Sequence, residues 1–211
     1  MKLKALFFTL ALVMVANFSA NAQNATYNEE DCGKYRSLYY QYLKQDMVRD
    51  ACNFWGMAIT HCGDSLDGKF YKNGRVAYLK LLKKVPKENT ERRTEIQDTL
   101  AWIYESRMKI EKDADWELDY AVMLVSNKTD NFDKLDSLFT NIHILKEGCS
   151  WTQIRSYFRH LIVNRFNKAE GEGKEEWRVK IIDEYITLSD YVKDAIKNVK
   201  EKYKDPAKQE K

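Results

Sequence analysis

The chain has 211 residues, with Lys or Arg at 35 positions, Asp or Glu at 32, and a formal charge of +3. That length suits one domain or a short repeat array with a buried core, and so even a charge balance gives nucleic-acid binding no support. Only two prolines and eight glycines, abundant Tyr and Trp, and few alternating apolar–polar runs point to an all-α fold.

The first predicted element is a leader. Lys2 and Lys4 precede a mostly apolar run from Ala5 to Phe18, and Ala20-Asn21-Ala22 fits a small-residue cleavage site. The run is shorter than the roughly 18 to 20 residues a membrane span needs. Residues 1–22 are therefore expected to be a cleaved signal peptide, which would remove Lys2 and Lys4 and bring the charge to about +1. Residues 23–31 are expected to be a flexible segment. A helical domain without a membrane span should occupy 32–203, and 204–211 should be a disordered tail. The expected location is the periplasm or the inner face of an outer membrane.

Next comes CGKYRSLYYQYLKQDMVRDACNFWGMAITHC, with Met47 midway between Cys32 and Cys62. Tyr35, Leu38, Tyr39 and Tyr42 have helical spacing, as do Ala51, Phe54, Trp55, Ala58 and Ile59. QDMVRD between them predicts a tight turn, with Asp50 as the N-cap. Two antiparallel helices of equal rise bring residues equidistant from the turn to one height. Cys32 and Cys62 are thus expected to form a disulfide at the open end, the favoured state in an oxidising compartment. Two buried free thiols are the alternative. Cys52 and Cys149 are expected to be unpaired. His61, Cys62 and Asp64 lack the paired spacing of a zinc motif, and no metal or cofactor is expected.

Tyr35, Leu38 and Tyr42, followed by Ala51 and Trp55, stand at the large positions of W-x2-L-G-x2-Y and A-x3-F. The stretch resembles a tetratricopeptide (TPR) repeat. Together with FYKNGRVAY and DTLAWIYESR, it resembles a group of exported bacterial TPR-like proteins. Tyr39 stands where the motif has Gly, and Gly63 where it has the closing Pro. The resemblance implies a repeat core of Tyr35, Leu38, Tyr42, Ala51, Trp55 and Ala58, and a role in envelope assembly or secretion.

Further pairs are expected at about 74–85 with 90–111 and at 116–126 with 132–146. A fourth pair begins WTQIRSYF, where Trp151, Ile154 and Phe158 repeat the signature, and ends in a long helix over about 175–203. First helices then begin near residues 34, 74, 116 and 151, a period that predicts a right-handed α-solenoid of about four hairpins with a C-terminal capping helix. The stripe Ile181, Tyr185, Leu188, Val192, Ala195 and Val199 is expected to pack inward, although its spacing also fits coiled-coil pairing.

No G-x-S-x-G, H-E-x-x-H or phosphate-binding glycine loop occurs, and His61, His143 and His160 are dispersed. No catalytic residue is assigned, and the expected function is non-enzymatic. In a repeat stack the first helices line the recognition surface. Arg36, Tyr40 and Lys44 form an i, i+4, i+8 stripe there, with Leu79 and Lys83 on the second pair and Thr152, Ser156 and His160 on the fourth. Arg and Tyr are favoured anchors, and basic heads hold a partner's carboxylates. The expected partner is an envelope protein or peptide. The alternative is a glycan-binding module that stacks sugar rings on exposed aromatics.

Overall fold

The computed structural model describes residues 28–203. The expected signal peptide, most of the segment before Cys32, and the expected tail lie outside the described residues. Among the described residues there are helices and turns but no strand, and no helix is long and apolar enough to cross a membrane. The chain divides into two compact units between Glu111 and Lys112.

Unit 1 contains α1 (Glu29–Lys44), α2 (Val48–Cys62), α3 (Gly68–Lys84) and α4 (Thr90–Met108). Asn28 caps α1 by accepting from the Asp31 amide, so helix is already present at residues 29–31, ahead of the expected start. The turn to α2 centres on Asp46 at φ 56°, a left-handed conformation that Asp tolerates. Met47, not Asp50, holds the N-cap position, and it makes no side-chain cap bond. Cys32 and Cys62 are disulfide-bonded across the open end, with Cα atoms 4.8 Å apart. The symmetry about Met47 carries this pairing, because both helices rise equally from the turn.

Asp67 caps α3 by accepting from the Phe70 amide, which starts that helix six residues before the expected Gly74. At the other end, Arg93 donates to the carbonyls of Leu82 and Val85 at 2.9 and 3.0 Å, occupying acceptors that a helix terminus leaves without partners. Trp55 joins the two hairpins. Its ring stacks on Phe70 at 5.2 Å, and its Nε1 donates to the Phe70 carbonyl at 3.2 Å. A Cβ at Gly74 would lie 2.3 Å from the Trp55 ring, so only glycine admits this approach. Ile96, Leu100 and Ile103 of α4 complete the buried layer.

Unit 2 contains α5 (Ala114–Ser126), α6 (Phe132–Phe139), α7 (Ile142–Leu145), α8 (Trp151–Arg159) and α9 (Gly171–Tyr203). The helix expected over 132–146 is broken at Thr140 and Asn141. Asn141 donates its side-chain amide to Leu138 O and to Glu117, a local bond that competes with helix continuation. Ser150 and Gln153 form a reciprocal capping box on α8. After Arg159 the helix widens into a π-helical segment, His160–Arg165, and a 3-10 turn, Phe166–Lys168. Trp116, Leu118, Leu135, Phe139, Ile142 and Leu161 fill the core.

The expected inward stripe of α9 is kept in part and corrected in part by the fold. Among its described side chains only Leu188 is buried, while Tyr185, Val192 and Val199 are exposed. The helix turns residues 177, 181, 184, 188, 191 and 195 toward its own unit, so Ile181, Leu188 and Ala195 of the predicted stripe face inward, while Glu184 and Tyr191 take the places expected of Tyr185 and Val192.

Candidate functional site

The sequence of α3, GKFYKNGRVAYLKLLKK, holds Lys69, Lys72, Arg75, Lys80, Lys83 and Lys84 and no acidic residue. Helical period sorts them. Phe70, Gly74, Ala77 and Leu81 are buried, and the opposite face shows Lys69, Lys72, Val76, Lys80 and Lys83 to solvent. Lys83 and Lys84 in the last turn suit the helix dipole, whereas Lys69 in the first turn opposes it. A cation there adds nothing to the helix it stands on.

α1 forms the edge of this face. The Arg36 guanidinium lies 5.8 Å from the Phe70 ring centroid. The Tyr40 hydroxyl accepts from Asn73 at 2.5 Å, which holds a ring that is 37% exposed. At the far end, Lys84 donates to the Asp46 carboxylate at 2.7 Å and Lys80 approaches it at 3.7 Å. The hydrogen bond from Lys84, and then its charge, hold the Asp46 carboxyl below the usual range. Lys69 and Lys83 pair with no carboxylate among the described residues.

The predicted partner-binding residues therefore separate. Tyr40, Lys44 and Lys83 are exposed on unit 1, and Arg36 and Leu79 are half-buried there. Ser156 and His160 are buried in unit 2, so they present nothing outward. α8 and the π-helical segment after it bury a broad arc comprising Gln153, Ile154, Ser156, Tyr157 and His160, and Thr152 alone of the predicted offsets is exposed. Trp151, which matched the large motif position, is 71% exposed, and Gln153 points inward to Asp115 and Asp119 at 2.8 and 3.2 Å. His160 Nε2 lies 2.8 Å from Asp136, its ring stacks on Phe139, and Arg165 pairs with both Asp133 and Asp136. Burial pushes the Asp136 carboxyl up, but the bonds from His160 and Arg165 outweigh it and hold the group below its usual range.

The expected repeat core divides as well. Ala51, Trp55 and Ala58 are buried, while Tyr35, Leu38 and Tyr42 are half-buried. Tyr39, which stands where the motif has Gly, is the fully buried residue of α1. Tyr35 lies against His61 and Tyr42 against Phe54, so both line the margin of the hairpin. Sequence reading also missed Asn73, Val76 and Lys69. The absence of acids along seventeen residues was the available signal.

Burial pushes the Cys52 thiol up to about 12 and the Cys149 thiol up to about 11, which holds both in the unreactive protonated form. No cluster of three or more His, Cys, Asp or Glu able to hold a metal occurs among the described residues. Comparison with protein-family models, curated proteins and solved structures returns no match.

Proposed function

We propose that this chain is an exported, TPR-like helical scaffold that binds an acidic protein or peptide segment on the α1–α3 face of unit 1. The observation that carries this reading is the acid-free α3, whose outward lysines surround Val76 beside the held Tyr40 and Arg36. A surface of this kind offers apolar contact at its centre and cations for carboxylates around it. Three contacts link the first hairpin to the first helix of the next pair, Arg36–Phe70, Tyr40–Asn73 and, from the turn after α1, Asp46–Lys84. That arrangement supports a solenoid of TPR type, right-handed as its resemblance implies. The disulfide supports an oxidising compartment, and the leader-like residues 1–22 support export. The reading is non-enzymatic.

The test is a crosslinked pull-down of tagged protein from its native envelope, with parent and Lys69→Glu/Lys80→Glu/Lys83→Glu chains compared. One or two envelope proteins recovered by the parent and lost with the charge reversals are the expected result. Recovery of the same proteins by both chains would reject this face.

A further inference from the structure

α9 carries a second apolar seam beside the one that holds it to its unit. The inner seam is Trp177, Ile181, Glu184, Leu188, Tyr191 and Ala195. Arg165 lies 5.7 Å over the Trp177 ring, and Glu184 meets His143 at 3.2 Å. One position round stand Ile182, Tyr185, Ser189, Val192, Ile196 and Val199, in the alternating three–four spacing of a coiled-coil a/d stripe. Ile182 is 52% exposed, Tyr185 65%, Ile196 50% and Val199 53%. The exposed Val179 and Ile186 widen the stripe. Toward its C-terminal end, Val192, Ile196 and Val199 form one wall of an apolar groove of about 420 Å³, which Trp151 and Cys149 help to close.

We infer that this face is where two copies of the chain associate, α9 against α9 and antiparallel. Area supports a stable pairing. Seven half-exposed aliphatic and tyrosine side chains and Trp151 offer on the order of 900 Å², beyond the roughly 300 to 600 Å² patch of an ordinary monomer and similar to the roughly 800 Å² per partner of a standard interface. The pattern supports a second copy, because antiparallel helices pair a with d positions. A two-fold axis between residues 190 and 191 sets Ile182 opposite Val199 of the second copy, Tyr185 opposite Ile196, and Ser189 opposite Val192.

Charge favours this direction. Asp183 and Asp190 flank the first half of the stripe, and Lys193 and Lys197 flank the second alongside Asp194. Antiparallel pairing lays Asp183 beside Lys197 of the second copy and leaves only Asp190, next to the axis, beside its own equivalent, whereas parallel pairing lays Asp183, Asp190 and Asp194 each beside itself. In this register Tyr185 meets Ile196, so its ring enters the groove under Trp151. The chain's own KDPAKQEK, residues 204–211, has no large apolar side chain with which to cover the seam.

The experiment is sedimentation velocity of the full chain over a range of concentrations, with Ile196→Glu as the comparison. The parent should show a concentration-dependent dimer. Ile196→Glu should raise its dissociation constant about a hundredfold, because it places a charge in an apolar seam. The helical circular dichroism of the variant should be unchanged, since Ile196 is half exposed. Direction is read by oxidising a mixture of Ile182→Cys and Val199→Cys chains. Disulfides between unlike chains are expected, and disulfides joining Ile182→Cys chains to each other would overturn the antiparallel pairing. A parent that stays monomeric at every concentration, or a dimer indifferent to Ile196→Glu, overturns the proposal. In the monomeric case a foreign helix becomes the occupant to test.

Discussion

The two units build helix pairs by opposite means. Unit 1 joins its hairpins through aromatic rings and one glycine, with Trp55 seated on Gly74 and stacked on Phe70, and a disulfide across α1 and α2. Its helices are long and unbroken. Unit 2 has four helices of at most 13 residues before the 33-residue α9, a break at Asn141 and a π-helical segment at His160, and it buries Asn141, Gln153 and His160 among its apolar residues. Unit 1 buries one charged side chain, Arg107, paired with Glu111, and the joint between its hairpins rests on apolar contact, which is indifferent to direction, and on the close fit of Trp55 to Gly74. Buried polar groups demand their partners, so unit 2 gains a specified packing at the risk of a large penalty for any lost bond.

The largest expected effect falls on the aromatic joint. Trp55→Ala should cost about 3 to 5 kcal/mol, read as lost hydrogen-exchange protection in α2 and α3. Equal loss in α5 and α8 would break the comparison, because the units would then unfold together. Cys32→Ser/Cys62→Ser should cost roughly 3 to 4 kcal/mol on the chain-entropy account of a loop this long. Denaturant unfolding with and without reductant checks it, since the double variant should lose all sensitivity to reductant.

In unit 2, Asp136→Asn should cost about 2 kcal/mol at neutral pH by weakening the bonds to His160 and Arg165. The Asp136 carboxyl lies below its usual 3.8 in the fold. Its stabilisation is therefore present above about pH 4 and is lost as pH falls through the lower folded value. Melting temperatures measured across that window should fall more steeply for the parent than for Asp136→Asn. An identical slope would remove this network from the contrast between the units. Asn73→Ala is the smallest change, at about 0.5 kcal/mol for an exposed hydrogen bond. Because it frees the Tyr40 ring, it should weaken partner capture more than it shifts the melting temperature.

Much of the fold was legible because its signals are local. Caps such as Asn89 before α4 and Ser150 before α8 end or begin helices through bonds to amides three residues away. The Cys32–Cys62 bond followed from equal distances to a turn. The binding face was half legible: Arg36, Tyr40 and Lys83 could be placed by offset, but Asn73 enters only because α3 lies alongside α1.

By itself, then, the sequence determined an all-α chain, the positions of most helices and the pairing of two cysteines. Each of these depends on spacing within a few turns. Only the tertiary structure decided which arc of each helix is buried. Leu38, Tyr39, Tyr40 and Tyr42 are all apolar enough to face a core, so period alone leaves the phase open by one residue. Neighbouring helices choose it, and they chose Tyr39 on α1, His160 after α8 and Tyr191 rather than Val192 on α9. The seam left exposed on α9 has the same origin, since a helix with two apolar arcs can turn only one of them toward its own unit.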